Sequence, residues 1–424
     1  MAAILFGIFF VLLLLGVPIA TSLGAAGVAG LLEGEFPLAM LAPSMSAAVT
    51  KYTLLAVPFF ILAGAILEHA DISRRIIALA EALMGDIRGG LAVVSVIVCC
   101  FFAAISGSST ATVAAVGGIV LPAMIKQGYD RGTSSALIAA AGTIGIVIPP
   151  SIAFVIYASM SETSVTALFA GGVIPGLIEG AAFIACMYWL IRKQKFPNLR
   201  KYSGKETWKI FLDSIWGLMA PVIILGGIYS GIFTPTEAAC VAVVYSLIVG
   251  IFIYKSIKLK QLFALTAQAV VSTSSVLFIV SAASVFAWII STSGIAVAFT
   301  NFILGISTNK ILILLFINII LIIAGCFIDS ISAMYILLPI MLPIIRSLGL
   351  SLVWFGVMVV VNLSIGQFSP PVGVNLYVAC NITGTPFKEI AIKIWPFVLA
   401  ATIALLIVTY IPQIAMFLPN LLSN

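Results

Sequence analysis

Residues 103–118 read AAISGSSTATVAAVGG. This stretch carries five hydroxyl side chains, yet it lies inside a chain that is 62% hydrophobic. Displaced by 221 residues, the chain falls on itself without a gap. SSTATVAAVGGIVLPAMIKQG (108–128) meets DSISAMYILLPIMLPIIRSLG (329–349), and TIGIVIPPSIAFVIYA (143–158) meets SIGQFSPPVGVNLYVA (364–379). Pro122 pairs with Pro343, Pro149-Pro150 with Pro370-Pro371, and Pro175 with Pro396; Gly128 and Gly145 pair with Gly349 and Gly366. Chance does not align so many prolines and glycines, so the two halves read as a duplication.

Each copy has one plan. An apolar arm runs into a polar tip and out along a second arm: 91–104, 105–110 and 111–125 in the first copy, 310–326, 327–332 and 333–345 in the second. A helix needs about 20 residues to cross the hydrocarbon, and these arms are shorter, so each copy is expected to form a re-entrant hairpin. A Gly-x-x-x-Pro-Pro element follows each hairpin. Proline removes a backbone donor and breaks a helix, and non-helical backbone at membrane depth is tolerated only where protein buries it or it lines a cavity.

The composition fits this reading. Charged residues make up 8% of the 424, against about 25% in soluble domains, which excludes a soluble fold. The N-terminal apolar run lacks a basic start and continues past Pro18 to Leu32, so a retained first helix is expected rather than a secretion signal. Six cysteines without metal-ligand spacing read as small packing residues. The single histidine, His69, sits beside Glu68 and Asp71 at an expected helix end. Net charge is +6, but it does not point to nucleic acid. With 192–209 on the cytoplasmic side and each hairpin entering and leaving on one face, 71–90, 126–132, 255–260 and 388–393 join it there. These five segments hold 17 of the 20 Lys and Arg. The two hairpins then enter from opposite faces, as in inverted-repeat secondary transporters. The amphipathic segment 71–85 and its mate 292–306 are expected to lie along opposite surfaces as arms leading into the hairpins.

Both tips and both breaks then converge. Half-helix N-termini suit an anion; half-helix C-termini and unwound carbonyls suit Na⁺. The first tip offers Ser106, Ser108, Ser109, Thr110 and Thr112, with Thr143 and Gly145 at its break. The second offers Asp329, Ser330 and Ser332, with Asn362, Ser364, Gly366, Ser369 and Asn375. Asp329 replaces Ser108 of the first copy. A carboxylate in a membrane hairpin marks function, and capping of the following helix is compatible with it. Glu237 reads as a first-turn acid, and Glu179 as a partner at a helix interface.

YTLLAVPFFILAGAIL (52–67), RGGLAVVSV (88–96), FAAISGSSTATVAAVG (102–117), GYDRGTSSALIAAAGTIGIVIPPSI (128–152), PTEAAC (235–240) and IGQFSPPVGVNLYV (365–378) span nearly the whole chain. In these motifs the chain resembles the large membrane subunit of tripartite ATP-independent periplasmic transporters. The resemblance implies an all-α, multi-pass protein of the bacterial inner membrane, elevator-type, that imports an organic acid with Na⁺. It implies two partners absent from this chain: a small four-helix membrane subunit and a periplasmic substrate-binding protein. It implies Na⁺ near Ser106, Ser109, Thr143 and Gly145, and near Gly325, Asp329, Asn362 and Gly366. Substrate is expected at Ser108, Thr110, Ser151, Asp329, Ser330, Ser332, Ser369 and Asn375. Sialic acid is the first expectation, and a C4-dicarboxylate or another sugar acid the alternative.

The corresponding organisation is scaffold at 1–70, a cytoplasmic arm at 71–90, transport segments at 91–165 and 310–385, and scaffold at 166–291. A periplasmic-side arm at 292–309 and a C-terminal helix at 386–424 complete it. A stand-alone symporter, a passive channel and an intramembrane serine enzyme are the competing readings. The last needs a base placed near Ser106 or Ser108, and neither His69 nor a lysine is near in sequence, so no enzymatic activity is expected.

Overall fold

The computed structural model describes residues 1–84, 89–194, 202–307 and 309–422. Positions 85–88 of the expected first arm, 195–201 of the basic loop, 308 of the second arm and 423–424 lie outside the described residues. Among the described residues there is no strand. The first half holds α1 (Ala2–Leu14), α2 (Ile19–Glu33), α3 (Leu41–Val49), α4 (Ala56–His69), α5 (Ile72–Met84), α6 (Gly90–Ser106), α7 (Ser109–Lys126), α8 (Arg131–Ala141), α9 (Ile152–Ser161) and α10 (Val165–Ile191). The second holds α11 (Gly204–Tyr229), α12 (Pro235–Leu247), α13 (Leu259–Thr292), α14 (Ile295–Ile306), α15 (Lys310–Phe327), α16 (Ser330–Ser347), α17 (Leu352–Gly366), α18 (Val374–Thr383), α19 (Phe387–Lys393), α20 (Trp395–Tyr410) and α21 (Pro412–Leu422). Among the described residues, eight helices are long and apolar enough to cross a membrane; a ninth arises if α19 and α20, bent by 46°, form one span. The protein is a polytopic helical membrane protein.

The duplication is visible in the elements. Moved by 221 positions, the bounds of α7 become those of α16, and the first residue of α8 becomes that of α17. The caps follow the same register. Asp130 accepts from the Thr133 amide at the start of α8, and Ser351 accepts from the Trp354 amide at the start of α17. Such side chains satisfy orphan amides of the first turn. The Pro149-Pro150 and Pro370-Pro371 bonds are both cis.

Three expectations are corrected. The hairpin arms are longer than the sequence suggested, 17 residues in α6 and 18 in α7, α15 and α16. Three of the four meet the length and composition of a membrane span, so arm length does not establish re-entrance. The small and hydroxylated residues assigned to the tips are helical almost to the turn, because each added helical residue satisfies its own backbone groups. The N-terminal run is two helices, α1 and α2, parted at Gly16 (φ +81°) and Pro18. Where one C-terminal helix was expected there are α19, α20 and α21. The last two are divided before Pro412, which cannot donate to a continuing helix.

The repeats interleave. α18, from the second copy, packs on α7 and α8, while α9, from the first, packs on α16 and α17. This exchange brings both tips and both breaks into one region. α10 runs against α6, α17, α20 and α21, and α4 packs on α12 and α13. The amphipathic α5 is held on α11 by an Arg75–Asp213 ion pair, with the Arg75 guanidinium 3.9 Å from the Tyr254 ring centroid.

Candidate functional site: two tips on one cavity

Each hairpin turns in two residues, Gly107-Ser108 between α6 and α7 and Ile328-Asp329 between α15 and α16. Gly107 takes φ +60°, and a Cβ there would lie 2.7 Å from the Pro150 carbonyl oxygen, so the turn needs glycine on both counts. Both tips open on one cavity of about 610 Å³. Of the predicted residues, Ser106, Ser108, Ser109, Thr110, Asp329 and Ser330 line it. Thr143, Gly145, Ser151, Gly325, Ser332, Asn362, Gly366, Ser369 and Asn375 do not; of these, Gly145, Ser332 and Asn375 form a layer in contact with residues of the wall.

That layer sets the geometry. At the first tip, Ser106 Oγ lies 3.0 Å from Thr112 Oγ1, and Thr112 donates to the Ser108 carbonyl at 2.8 Å. Gly145 presses on this group: a Cβ there would sit 2.7 Å from Thr112 Oγ1 and 2.8 Å from the Ser108 oxygen. Three hard oxygens thus gather against the first break, a donor set that fits Na⁺. Thr143 instead donates to the Ala140 carbonyl at 2.6 Å, and Ser151 caps α9. Ser109 donates to Asn375 Oδ1 at 2.9 Å, which ties the first tip to the second break.

At the second tip, Gly325 and Gly366 meet backbone to backbone, and a Cβ on Gly366 would overlap the Gly325 backbone. Gln367 donates to Ser330 Oγ at 2.7 Å, Ser369 to the Ile365 carbonyl at 2.7 Å, and the Asn362 amide to Asn318 Oδ1 at 2.8 Å. Among the described residues, Asn362 Oδ1 is buried with no hydrogen-bond partner, an orphan acceptor of the kind a cation satisfies. Glu179, fully buried on α10, accepts from Ser364 at 3.1 Å, and so lies at a helix interface as expected.

The two tips differ at their caps. Asp329 Oδ1 accepts from the amides of Ile331 and Ser332 at 3.0 and 3.1 Å, and Oδ2 accepts from Ser332 Oγ at 2.6 Å. The N-terminus of α16 is therefore closed by its own carboxylate. Ser108, in the equivalent place, makes no capping bond to α7. The first-turn residues of α7, Ser109, Thr110 and Ala111, line the cavity, and a helix start carries partial positive charge. Among the described residues lining the cavity there is no Lys, Arg or His.

The sequence reading missed part of the wall. Gln367 could have been found beside Gly366 in the broken element. Glu68 on α4 and Gln268 and Ser272 on α13 also line the cavity; their only signal is polarity within long apolar helices.

Comparison with known proteins agrees with this architecture. The family described as "Tripartite ATP-independent periplasmic transporter, DctM component" matches residues 6–414. The chain is 40% identical, over 98% of its length, to the isethionate TRAP transporter permease protein DctMQ of Oleidesulfovibrio alaskensis, of which it spans 66%. It is 38% identical to the C4-dicarboxylate TRAP transporter large permease protein DctM of Rhodobacter capsulatus, over 100% of this chain and 99% of that one. It is 35% identical to the sialic acid TRAP transporter large permease protein SiaM of Vibrio cholerae, over 97% and 96%. Among solved structures, the Alcanivorax borkumensis YdaH transporter superposes with a TM-score of 0.62 at 14% identity, covering 90% of each chain. That likeness is one of fold. By the family match and these identities, the chain belongs to the DctM family, the large permease subunits of tripartite ATP-independent periplasmic transporters.

Proposed function

We propose that this subunit imports an organic-acid anion by Na⁺-coupled secondary transport across the bacterial inner membrane. It would work with a small four-helix membrane subunit and a periplasmic substrate-binding protein. One observation carries the reading: the uncapped N-terminus of α7 opens on a cavity whose repeat-related helix, α16, is capped by Asp329. A substrate carboxylate at Ser108–Thr110 does for α7 what Asp329 does for α16. Among the described residues the cavity also carries the carboxylates of Glu68 and Asp329 and no basic side chain, so an incoming anion needs cations beside it. Na⁺ supplies that charge, held by oxygens of Ser106, Ser108 and Thr112 beside Gly145, and by Asn362 with the Gly325–Gly366 region.

The hairpins are re-entrant from opposite faces, and the tips with their breaks form the part that moves against α4 and α13. Coupling means that Na⁺ and substrate each raise the other's affinity by the same factor. A hydroxylated sugar acid such as sialic acid suits the hydroxyls of Ser108, Thr110 and Ser330. A C4-dicarboxylate is the second reading, favoured by the relative from Rhodobacter capsulatus.

The test is uptake in proteoliposomes holding this chain, its small subunit and its binding protein, with labelled sialic acid or succinate. The reading expects uptake that needs both an inward Na⁺ gradient and the binding protein. Uptake indifferent to Na⁺ refutes the coupling, and uptake by this chain alone refutes the tripartite assembly.

A further inference from the structure

The cavity has a second polar side, which carries a carboxylate where the first tip offers an uncapped helix start. Gly64 of α4 packs on the first tip, where a Cβ would lie 3.2 Å from Ser106 Cα. Glu68 lies four residues further on, hence one helical turn beyond that contact and on the same face. On α13, Gln268, Ser272 and Val276 recur at every fourth residue and line the cavity on one face. α4 and α13 pack on each other, so Glu68, Gln268 and Ser272 form one polar wall of the cavity on which the helix starts also open. The Glu68 carboxylate has no hydrogen bond or ion pair among the described residues. The ionisable group beside it among the described residues is His69, whose Nδ1 lies 2.9 Å from the Ala65 carbonyl oxygen.

An anion held at α7 therefore shares its cavity with this carboxylate, amide and hydroxyl. A second carboxylate on the substrate would meet like charge at Glu68, which is partly buried. A hydroxyl or an amide N–H would instead donate to it.

We infer that the wall of Glu68, Gln268 and Ser272 selects organic monoanions whose distal end carries hydrogen-bond donors, and that Glu68 excludes dicarboxylates. Glu68 is a specificity residue: it accepts the donor of the right substrate and repels the second charge of the wrong one, the two halves of discrimination. The inference rests on the organic-anion reading above and narrows its substrate class.

Ligand-induced thermal stabilisation of the purified permease complex, without the binding protein, tests it, since a ligand that binds only the folded state raises its stability. The probes are sialic acid, 2-hydroxyethanesulfonate and succinate, each in NaCl and in choline chloride. A hydroxylated monoanion is expected to stabilise the wild type in NaCl at concentrations where succinate does not. Glu68→Gln is expected to tighten succinate about tenfold and to weaken the hydroxylated ligand. Ser272→Asp, which adds a charge to the same wall, is expected to weaken succinate further and decides the matter should Glu68→Gln fail to fold. Succinate binding as tightly as the hydroxylated anions, unmoved by either variant, overturns the inference. So does the absence of stabilisation by both hydroxylated monoanions. Stabilisation that is equal in choline removes the Na⁺ coupling proposed above, while the ratio between anions still decides this inference.

Discussion

At the scale of single residues, the difference between Ser108 and Asp329 organises the site. Both sit at the N-cap of a hairpin's second arm, and only Asp329 caps. Ser108→Asp should make the first tip like the second. A carboxylate at that place would take the first-turn amides of α7, stabilise the protein by about 1 kcal/mol and occupy the anion position. Thermal unfolding should therefore show a higher midpoint while uptake is lost. A variant that keeps transport shows that the substrate anion binds elsewhere. Asp329→Ala should do the converse to stability, losing about 1 kcal/mol of cap, and should also abolish uptake; Asp329→Asn keeps the cap and separates the two effects. Asp329 was legible from sequence because a carboxylate in a membrane hairpin is costly enough to need a reason. Glu68 was not. It stands near a helix end beside a histidine, where a carboxylate is ordinary, and it becomes informative only once α4 is seen against the tip.

At the scale of elements, glycines set how closely tip and break approach. The Gly325–Gly366 contact is between backbones, so neither side can yield by rotating a side chain. Gly366→Ala should part α15 from α17 at a cost of about 1–3 kcal/mol. It should weaken Na⁺-dependent stabilisation more than Gly145→Ala, whose added Cβ meets a threonine hydroxyl as well as a carbonyl. Equal Na⁺ affinity in wild type and Gly366→Ala would show that this contact does not shape a cation site. The cap of α8 gives a prediction in pH. Partial burial works to raise the Asp130 carboxyl. Hydrogen bonds from the Thr133 amide and hydroxyl and the nearby Lys393 ammonium outweigh it and hold Asp130 below the usual carboxylate range. A depressed folded value means stability that is present above the unfolded carboxyl value of about 3.9 and is lost as pH falls through the folded one. Unfolding measured as a function of pH should show this acid loss in the wild type and not in Asp130→Asn. The order of elements was readable because the repeat doubled every weak signal: Pro149-Pro150 alone marks a turn, whereas the same pair 221 residues on marks a broken helix. The arm lengths were misread because Ser, Gly and Thr, weak helix formers in water, continue helices where no water competes for the backbone.

At the scale of the whole molecule, the interleaving of α9 and α18 with the opposite copy makes the hairpins and breaks one packed body, and the proposed sliding of that body would have to break its contacts with the remainder. One such contact is polar. Lys51, just before α4, donates from Nζ to the Ser159 carbonyl at 2.5 Å, near the C-terminal end of α9, where a helix carries partial negative charge. If the body slides against α4 and α13, this bond belongs to one end state and is broken in the other. Lys51→Met then removes about 1 kcal/mol from this conformation alone, which shifts its population about fivefold against the alternative. Spin labels at the exposed positions Trp208 on α11 and Ile119 on α7 would report two separations, one for each end state. The variant should move weight from one to the other without creating a third. Na⁺ with substrate should also redistribute the two, because a ligand shifts an equilibrium only by its differential affinity for the states. A single distance, unchanged by Lys51→Met and by ligands, would mean that α7 does not travel relative to α11, and transport would then have to proceed by local opening of the tips around a stationary cavity.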